Sequence, residues 1–233
     1  MTFRCAELSL ELDEPLAGSA PVAARWELVE RAKPWGRKHG LVAEDAKVLL
    51  VKPWPGVPPS AMPRDLVPGQ RRYLVCTNGA RDPCCAIRGP AVAQALARIV
   101  PGQVYECSHL GGHRFAANVL VLPDELCFGR LDARAAAGLA AELEEGRLPL
   151  DHLRGRTTLR PEEQAAEILV RRELGLSRLD DLRHVEGATF ELADGRRATA
   201  RLHGTELEPH RLSCRDDRVE SATRWALADL VLA

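Results

Sequence analysis

The chain has no apolar run approaching the roughly 20 residues that a membrane helix needs, so no membrane partner is expected. It has no excess of either charge. With 32 basic and 33 acidic residues its net charge is −1, which argues against a dedicated binder of nucleic acid or other polyanions and leaves room only for a local basic patch. Its opening, MTFRCAELSLELDE, has neither the basic start nor the apolar core of a secretory signal, and a cytoplasmic location is expected. There is no internal repeat and no low-complexity tract.

What is present is an ordinary globular composition, 45% apolar and 28% charged over 233 residues, enough for a substantial core. Seven cysteines stand out: Cys5, Cys76, Cys84, Cys85, Cys107, Cys127 and Cys214. An odd number in a chain without a signal does not read as a disulfide framework, so clustered cysteines call for a metal or redox explanation. Four of the seven fall between positions 76 and 107, and two of the seven histidines follow directly.

Three stretches can be distinguished. In residues 1–70, Ser9–Leu12 alternates as a strand would, ARWELVE at 24–30 is a second strand candidate with Trp26 and Leu28 on one face, and VLLV at 48–51 reads as a buried strand. A turn is expected at 33–36, and a Pro-rich stretch from Pro53 to Pro68 is the best candidate boundary. Residues 71–150 give a clearer order. A strand at 72–75 runs into Cys76, and a polar loop leads to Cys84-Cys85. A helix opened by Pro90 runs to Ile99, and a strand at 103–106 leads to Cys107-Ser108-His109. Asn118–Leu122 is a strand with a hairpin partner in 127–131, and Asp132 caps a helix that buries Leu139 and Leu143 and ends near Gly146. This β-α-β-β-α order is that of an α/β, thioredoxin-like domain. It would carry a strand-rich N-terminal extension and a small α+β region over residues 151–233. There Pro161 opens a helix that closes at Gly175, Asp194-Gly195 marks a hairpin, and 222–232 suits either helix or strand.

Cys76 and Cys85 have eight residues between them, and His109 and His113 have three. Each pair sits where a strand gives way to a loop, and two parallel neighbouring strands would bring those loops together. Two thiolates and two imidazoles suit zinc or an iron–sulfur centre, including a [2Fe–2S] centre in which histidine replaces cysteine on one iron. The spacing is neither that of a Rieske protein, which interleaves Cys and His in each loop, nor that of a zinc finger, and eight intervening residues exceed the latter. The zinc-protease reading of His-x-x-x-His needs a helix and a glutamate after the first histidine. Here Leu110 holds that place, and Gly111-Gly112 opposes a helix. The glycines, with Asn78 and Gly79, suit loops that curl tightly and turn backbone N–H groups toward a cluster. Spacing does not choose between Cys84 and Cys85. Cys107 reads as a small buried apolar residue, and Cys5, Cys127 and Cys214 fall outside the ligand set. Arg114 and the run Arg154-Gly155-Arg156 suit either positive charge near the centre or ordinary solvated arginines. The other five histidines, His39, His152, His184, His203 and His210, have no partners by spacing.

The stretches LVCTNGARDPCCAIRGPAVAQALA, VYECSHLGGHRFAANVLVLPDELCFGRLD and LRGRTTLRPEEQAAEILVR resemble the sucrase/ferredoxin-like family, as do the earlier PLAGSAPVAARWELVE and KPWG. The resemblance implies a thioredoxin-like ferredoxin whose Cys-x8-Cys and His-x-Gly-Gly-His motifs bind [2Fe–2S]. Carried over, these are Cys76, Cys85, His109 and His113, and the spacing of the family motif selects Cys85 over Cys84. The segment between Val51 and Arg71 is short for the family. No motif places a carboxylate pair across a sugar bond, so nothing beyond the family's name suggests a glycosidase.

The expected function is one-electron transfer to or from a redox partner protein not named by the sequence, by a carrier rather than a catalyst. Two rivals follow from the same residues. One is a thioredoxin-type thiol oxidoreductase using Cys76 with Cys84 or Cys85, although the usual Cys-x-x-Cys is absent. The other is a structural zinc site in an interaction module.

Overall fold

The computed structural model describes residues 3–33, 35, 46–55 and 70–233. Among these, the architecture is mixed α/β, with four α-helices, a seven-stranded sheet, a four-stranded antiparallel sheet and a two-stranded ribbon. The middle of the large sheet is built from fully buried, apolar-rich strands: β3 (Arg72–Cys76), β4 (Val104–Cys107), β5 (Val119–Leu122) and β6 (Leu126–Phe128). Strands buried on both faces read as continuous apolar runs, and these do. The connection from β3 to β4 is helix α2 (Pro83–Ile99), and β3 and β4 lie parallel with Cys76 opposite Cys107. Strand β5 returns antiparallel to β3, β6 pairs with β5, and helix α3 (Ala133–Glu144) follows. Asp132 caps α3 through a hydrogen bond from the Ala135 N–H, 2.7 Å long, as its place in the sequence predicts.

Strands from both flanking stretches extend this sheet. The expected strands at 24–30 and 48–51 are β1 (Arg25–Glu30) and β2 (Ala46–Pro53), with Leu28 buried. Strand β7 (Leu153–Arg156) closes the other edge, giving the order β1-β2-β4-β3-β5-β6-β7. Alternation along the central strands divides the core. Tyr73 and Val75 face Val92 and Leu96 of α2 and Leu139 and Leu143 of α3. Leu74 and Cys76 face the other way, with Leu49, Tyr105, Leu120 and Cys107. The remaining elements, helix α4 (Pro161–Leu174), strands β8 (Leu182–Glu186), β9 (Thr189–Leu192) and β10 (Arg197–Glu206), the β11 (His210–Arg211) and β12 (Val219–Glu220) ribbon, and strand β13 (Thr223–Leu232), complete the chain. Gly175 ends α4 at φ +67, and the hairpin expected at Asp194-Gly195 joins β9 to β10. Residues 223–232, open between helix and strand in the sequence, pair along the length of β10.

Two local expectations are corrected. Ser9–Leu12 is not a strand. It lies largely in helix α1 (Cys5–Glu11), whose buried Cys5, Ala6 and Ser9 share one helical face. Helix α2 opens seven residues before Pro90, because Asp82 accepts a hydrogen bond from the Cys84 N–H at 2.9 Å and Pro83 takes the first helical position. Pro90 then lies inside the helix, at the cost of one backbone hydrogen bond. The Pro-rich stretch beyond Pro55, and all of the 33–36 turn but Lys33 and Trp35, lie outside the described residues.

The early start of α2 sets the helix hard against the end of β3. A Cβ on Gly89 would fall 2.5 Å from the Cys76 carbonyl oxygen and 2.9 Å from Thr77 Cγ2. Gly89→Ala is therefore expected to destabilise the fold by about 1–3 kcal/mol, read as a lower denaturation midpoint in urea at unchanged slope.

Candidate metal centre

Parallel pairing of β3 and β4 places the loops that leave them side by side. Cys76 is the last residue of β3, His109 lies two residues beyond β4, and Cys85 sits in the first turn of α2. One ligand atom from each of Cys76, Cys85 and His109 falls within 4.8 Å of the other two. Cys76 and Cys85 are buried and His109 is partly exposed. His113 opens a short 3-10 turn just beyond, stacked beside His109 with ring centroids 5.1 Å apart. It is buried but stands outside the tight trio, its Nε2 3.6 Å from Asp82 Oδ2. Three of the four expected residues therefore share one point, and the fourth adjoins it.

Three ring nitrogens at the site lack hydrogen-bond partners among the described residues. His109 Nδ1 and both ring nitrogens of His113 are buried with no hydrogen-bond partner among the described residues. Such groups cost free energy unless something satisfies them. With two cysteine sulfurs alongside, the donor set fits the group the sequence implies, since thiolate and imidazole are the ligands of mixed iron–sulfur and zinc centres.

Electrostatics polarise the two thiols. The Cys76 thiol is held well below its usual range because Cys85 hydrogen-bonds to it, which outweighs burial, and His109 and the backbone N–H groups of Asn78 and Leu110 add to the effect. Cys85 is pushed up by the same contact and by burial. Of the two, Cys76 is the thiol whose charged form its surroundings favour. Burial pushes the His113 imidazole down, opposed by the Asp82 carboxylate, so this ring is set up neutral and able to donate a lone pair.

Residues 42–155 match the family model described as sucrase/ferredoxin-like, a span that contains all four residues. Over that span, just under half of its length, the chain is similar to the sucrase/ferredoxin-like family. No curated protein and no solved structure matches the chain.

The family motif around the two histidines is held by a buried arginine. Gly111 and Gly112 both adopt positive φ, +97 and +66, which turns the loop back on itself as the paired glycines predict. Arg154 Nη1 donates to the Gly111 carbonyl at 3.1 Å and to Asn118 Oδ1 at 2.8 Å, and Asn118 Nδ2 donates to the Gly112 carbonyl at 2.9 Å. The Asn118 carbonyl also accepts the Cys76 N–H at 3.0 Å, which links the two loops through one residue. Arg154 is therefore no solvated arginine. It is 2% exposed and also donates to the Ser19 carbonyl. Its neighbours in the sequence reading have other partners, Arg114 pairing with Glu14 and Arg156 with Glu167. Arg154→Met leaves several buried acceptors without a donor and is expected to cost about 3 kcal/mol or more, measured by urea unfolding.

Cys84, the alternative that spacing left open, turns away from this centre. Its sulfur meets those of Cys5 and Cys214 beside Asp82. Cys84 is lowered to about 6, chiefly because Cys5 hydrogen-bonds to it, against burial. By spacing, Cys5 and Cys214 fall outside any ligand set. No spacing rule ties position 5 to position 214, so only the lone Asp-Pro-Cys-Cys start of α2 pointed this way. Cys107 is buried in the apolar cluster, as expected, and Cys127 is buried against Arg154, whose Nη1 donates to its sulfur at 3.6 Å.

Proposed function

We propose that this chain is an iron–sulfur protein that passes single electrons, with a [2Fe–2S] cluster held by Cys76, Cys85, His109 and His113. The observation that carries the reading is the convergence of Cys76, Cys85 and His109 within 4.8 Å, with unpartnered buried nitrogens on His109 and His113. Bound there, the cluster supplies a one-electron couple whose potential two neutral imidazoles raise relative to four thiolates. The chain's residues supply the rest. Cys76 is available as thiolate, and the Asn78 and Leu110 N–H groups at its sulfur favour the charged form. Burial keeps water from the thiolates, and His109, the most exposed of the four, offers the shortest route to a partner protein. The run β3-α2-β4-β5-β6-α3, with parallel β3 and β4 and an antiparallel pair beyond them, supports a thioredoxin-like reading of this part. No helix among the described residues is long and apolar enough to cross a membrane, and no disulfide joins the described cysteines, which suits a reducing compartment such as the cytoplasm.

Burial speaks against a thiol oxidoreductase. Cys76 is 1% and Cys85 0% exposed, so a substrate disulfide has no approach to either sulfur. Purification under anaerobic conditions tests the proposal. A brown protein with about two irons and about two acid-labile sulfides per chain is expected. A colourless protein whose Cys76, Cys85 and His109 bind one zinc overturns it in favour of a structural zinc site.

A further inference from the structure

Outside the first centre lies a second set of metal-ligating side chains. We propose that Cys5, Cys84, Cys214 and Asp82 form a zinc site that clasps α1, the start of α2 and the segment around residue 214 to one another. One ligand atom from each of the four lies within 4.8 Å of all the others, and Cys5, Asp82 and Cys84 are buried. The sulfurs form a triangle, with Cys5 to Cys84 at 3.7 Å, Cys84 to Cys214 at 3.4 Å and Cys214 to Cys5 at 3.5 Å. The Asp82 oxygens lie 3.7 and 3.6 Å from the Cys5 sulfur. These separations are far from the roughly 2.05 Å of a disulfide bond. They approach the edge of about 3.8 Å that a tetrahedron has when its metal–sulfur bonds are about 2.3 Å.

The surroundings suit thiolates holding a cation. The Cys5 N–H points at the Cys214 sulfur at 3.3 Å, and the Ala6 N–H at the Cys84 sulfur. The free N–H groups at the start of α1 thus face sulfur, where they stabilise negative charge. Asp82 accepts the N–H groups of Cys84 and Cys214, each at 2.9 Å, which fixes the carboxylate while leaving it lone pairs for a metal. The His113 ring, which burial favours as neutral, lies 3.6 Å from Asp82 Oδ2. Three soft sulfurs and one carboxylate select zinc over magnesium or calcium, which take oxygen ligands. With four protein ligands the site is closed, so its role is structural. The ion joins positions 5, 82, 84 and 214, segments that no disulfide links.

The test is elemental analysis of the full chain purified under reducing conditions, with zinc K-edge X-ray absorption. About one zinc per chain, in a shell of three sulfurs at about 2.3 Å and one lighter atom, is expected. Cys214→Ser should release zinc to a chromophoric chelator at least tenfold more readily while keeping the iron and brown colour of the unaltered chain. Should that variant fail to fold, Cys5→Ser and the absorption spectrum of the unaltered chain read the same shell. The proposal is overturned by a chain without zinc, by a Cys84–Cys214 disulfide, by a shell of two sulfurs and two nitrogens, or by Cys214→Ser losing iron while it retains its zinc as firmly as the unaltered chain. Zinc bound in the three-sulfur shell of a chain that holds no iron would uphold this site and sink the redox reading alone.

Discussion

Cys85→Ser is expected to yield a chain with no bound iron, no acid-labile sulfide and no visible absorption, whereas Cys84→Ser, one residue away, keeps all three. Successive residues of a helix project about 100° apart. The first turn of α2 uses that angle to send the Cys85 sulfur toward Cys76 and His109 and the Cys84 sulfur toward Cys5 and Cys214. Removing Cys85 takes away one of the two sulfurs of the trio, and its neighbour Cys84 faces the opposite set. Serine is close in volume, so the packing of α2 on β3 is retained and the loss reports on ligation. Iron and sulfide analysis of the two variants, purified side by side, decides the matter. Equal iron in both would remove the assignment, and loss of iron from Cys84→Ser alone would transfer it to the other sulfur.

The second large effect concerns the potential. In the unaltered protein the midpoint should fall as pH rises, by up to about 59 mV per pH unit for one proton per electron. The sign follows from charge. Reduction adds a negative charge beside the imidazoles and raises their pKa, so between the oxidised and reduced values each electron brings a proton, and removing protons makes reduction harder. His109 is the more exposed of the two rings. His109→Cys replaces a neutral ligand with an anionic one. It should lower the midpoint by about 200 mV or more, the order of the gap between mixed and all-cysteine centres, and it should flatten most of the slope. Redox titration followed by electron paramagnetic resonance at several pH values measures both. A midpoint in the unaltered protein that stays level from mildly acid to alkaline pH excludes histidine ligation.

The meeting of Cys76, Cys85 and His109 was legible in the sequence because it is local to two strand ends and the start of one helix. Cys76 closes β3, His109 follows β4, and parallel pairing of neighbouring strands with Cys76 opposite Cys107 sets the loops side by side, where Asn118 and Arg154 then hold them. The helix boundary was harder to read. Gly89-Pro90 looks like a breaker, and the Asp82-Pro83 cap seven residues earlier looks like part of a polar loop, yet a cap and a well-placed proline outweigh one lost hydrogen bond inside the helix. Ser9–Leu12 failed for a different reason. Four alternating residues fit either period, and burial of Cys5, Ala6 and Ser9 on one face settles it as helix. Arg154 and Cys214 were beyond reach of any spacing argument. One is drawn inside by acceptors from residues 19, 111 and 118, and the other meets a partner 209 positions away.

Adjacent cysteines that face opposite ways make the first turn of α2 a shared anchorage. Rotating or withdrawing that turn to suit one set of partners moves the other sulfur by a comparable amount, because the peptide between them is stiff. A disturbance at the N-terminal helix, such as a bulky fusion before Cys5, therefore has a short mechanical path to Cys85. So does a strained splice near residue 214. Colour then becomes a gauge of how firmly the two outlying segments are seated, and a chain trimmed at either would be expected to bleach sooner in air than it unfolds.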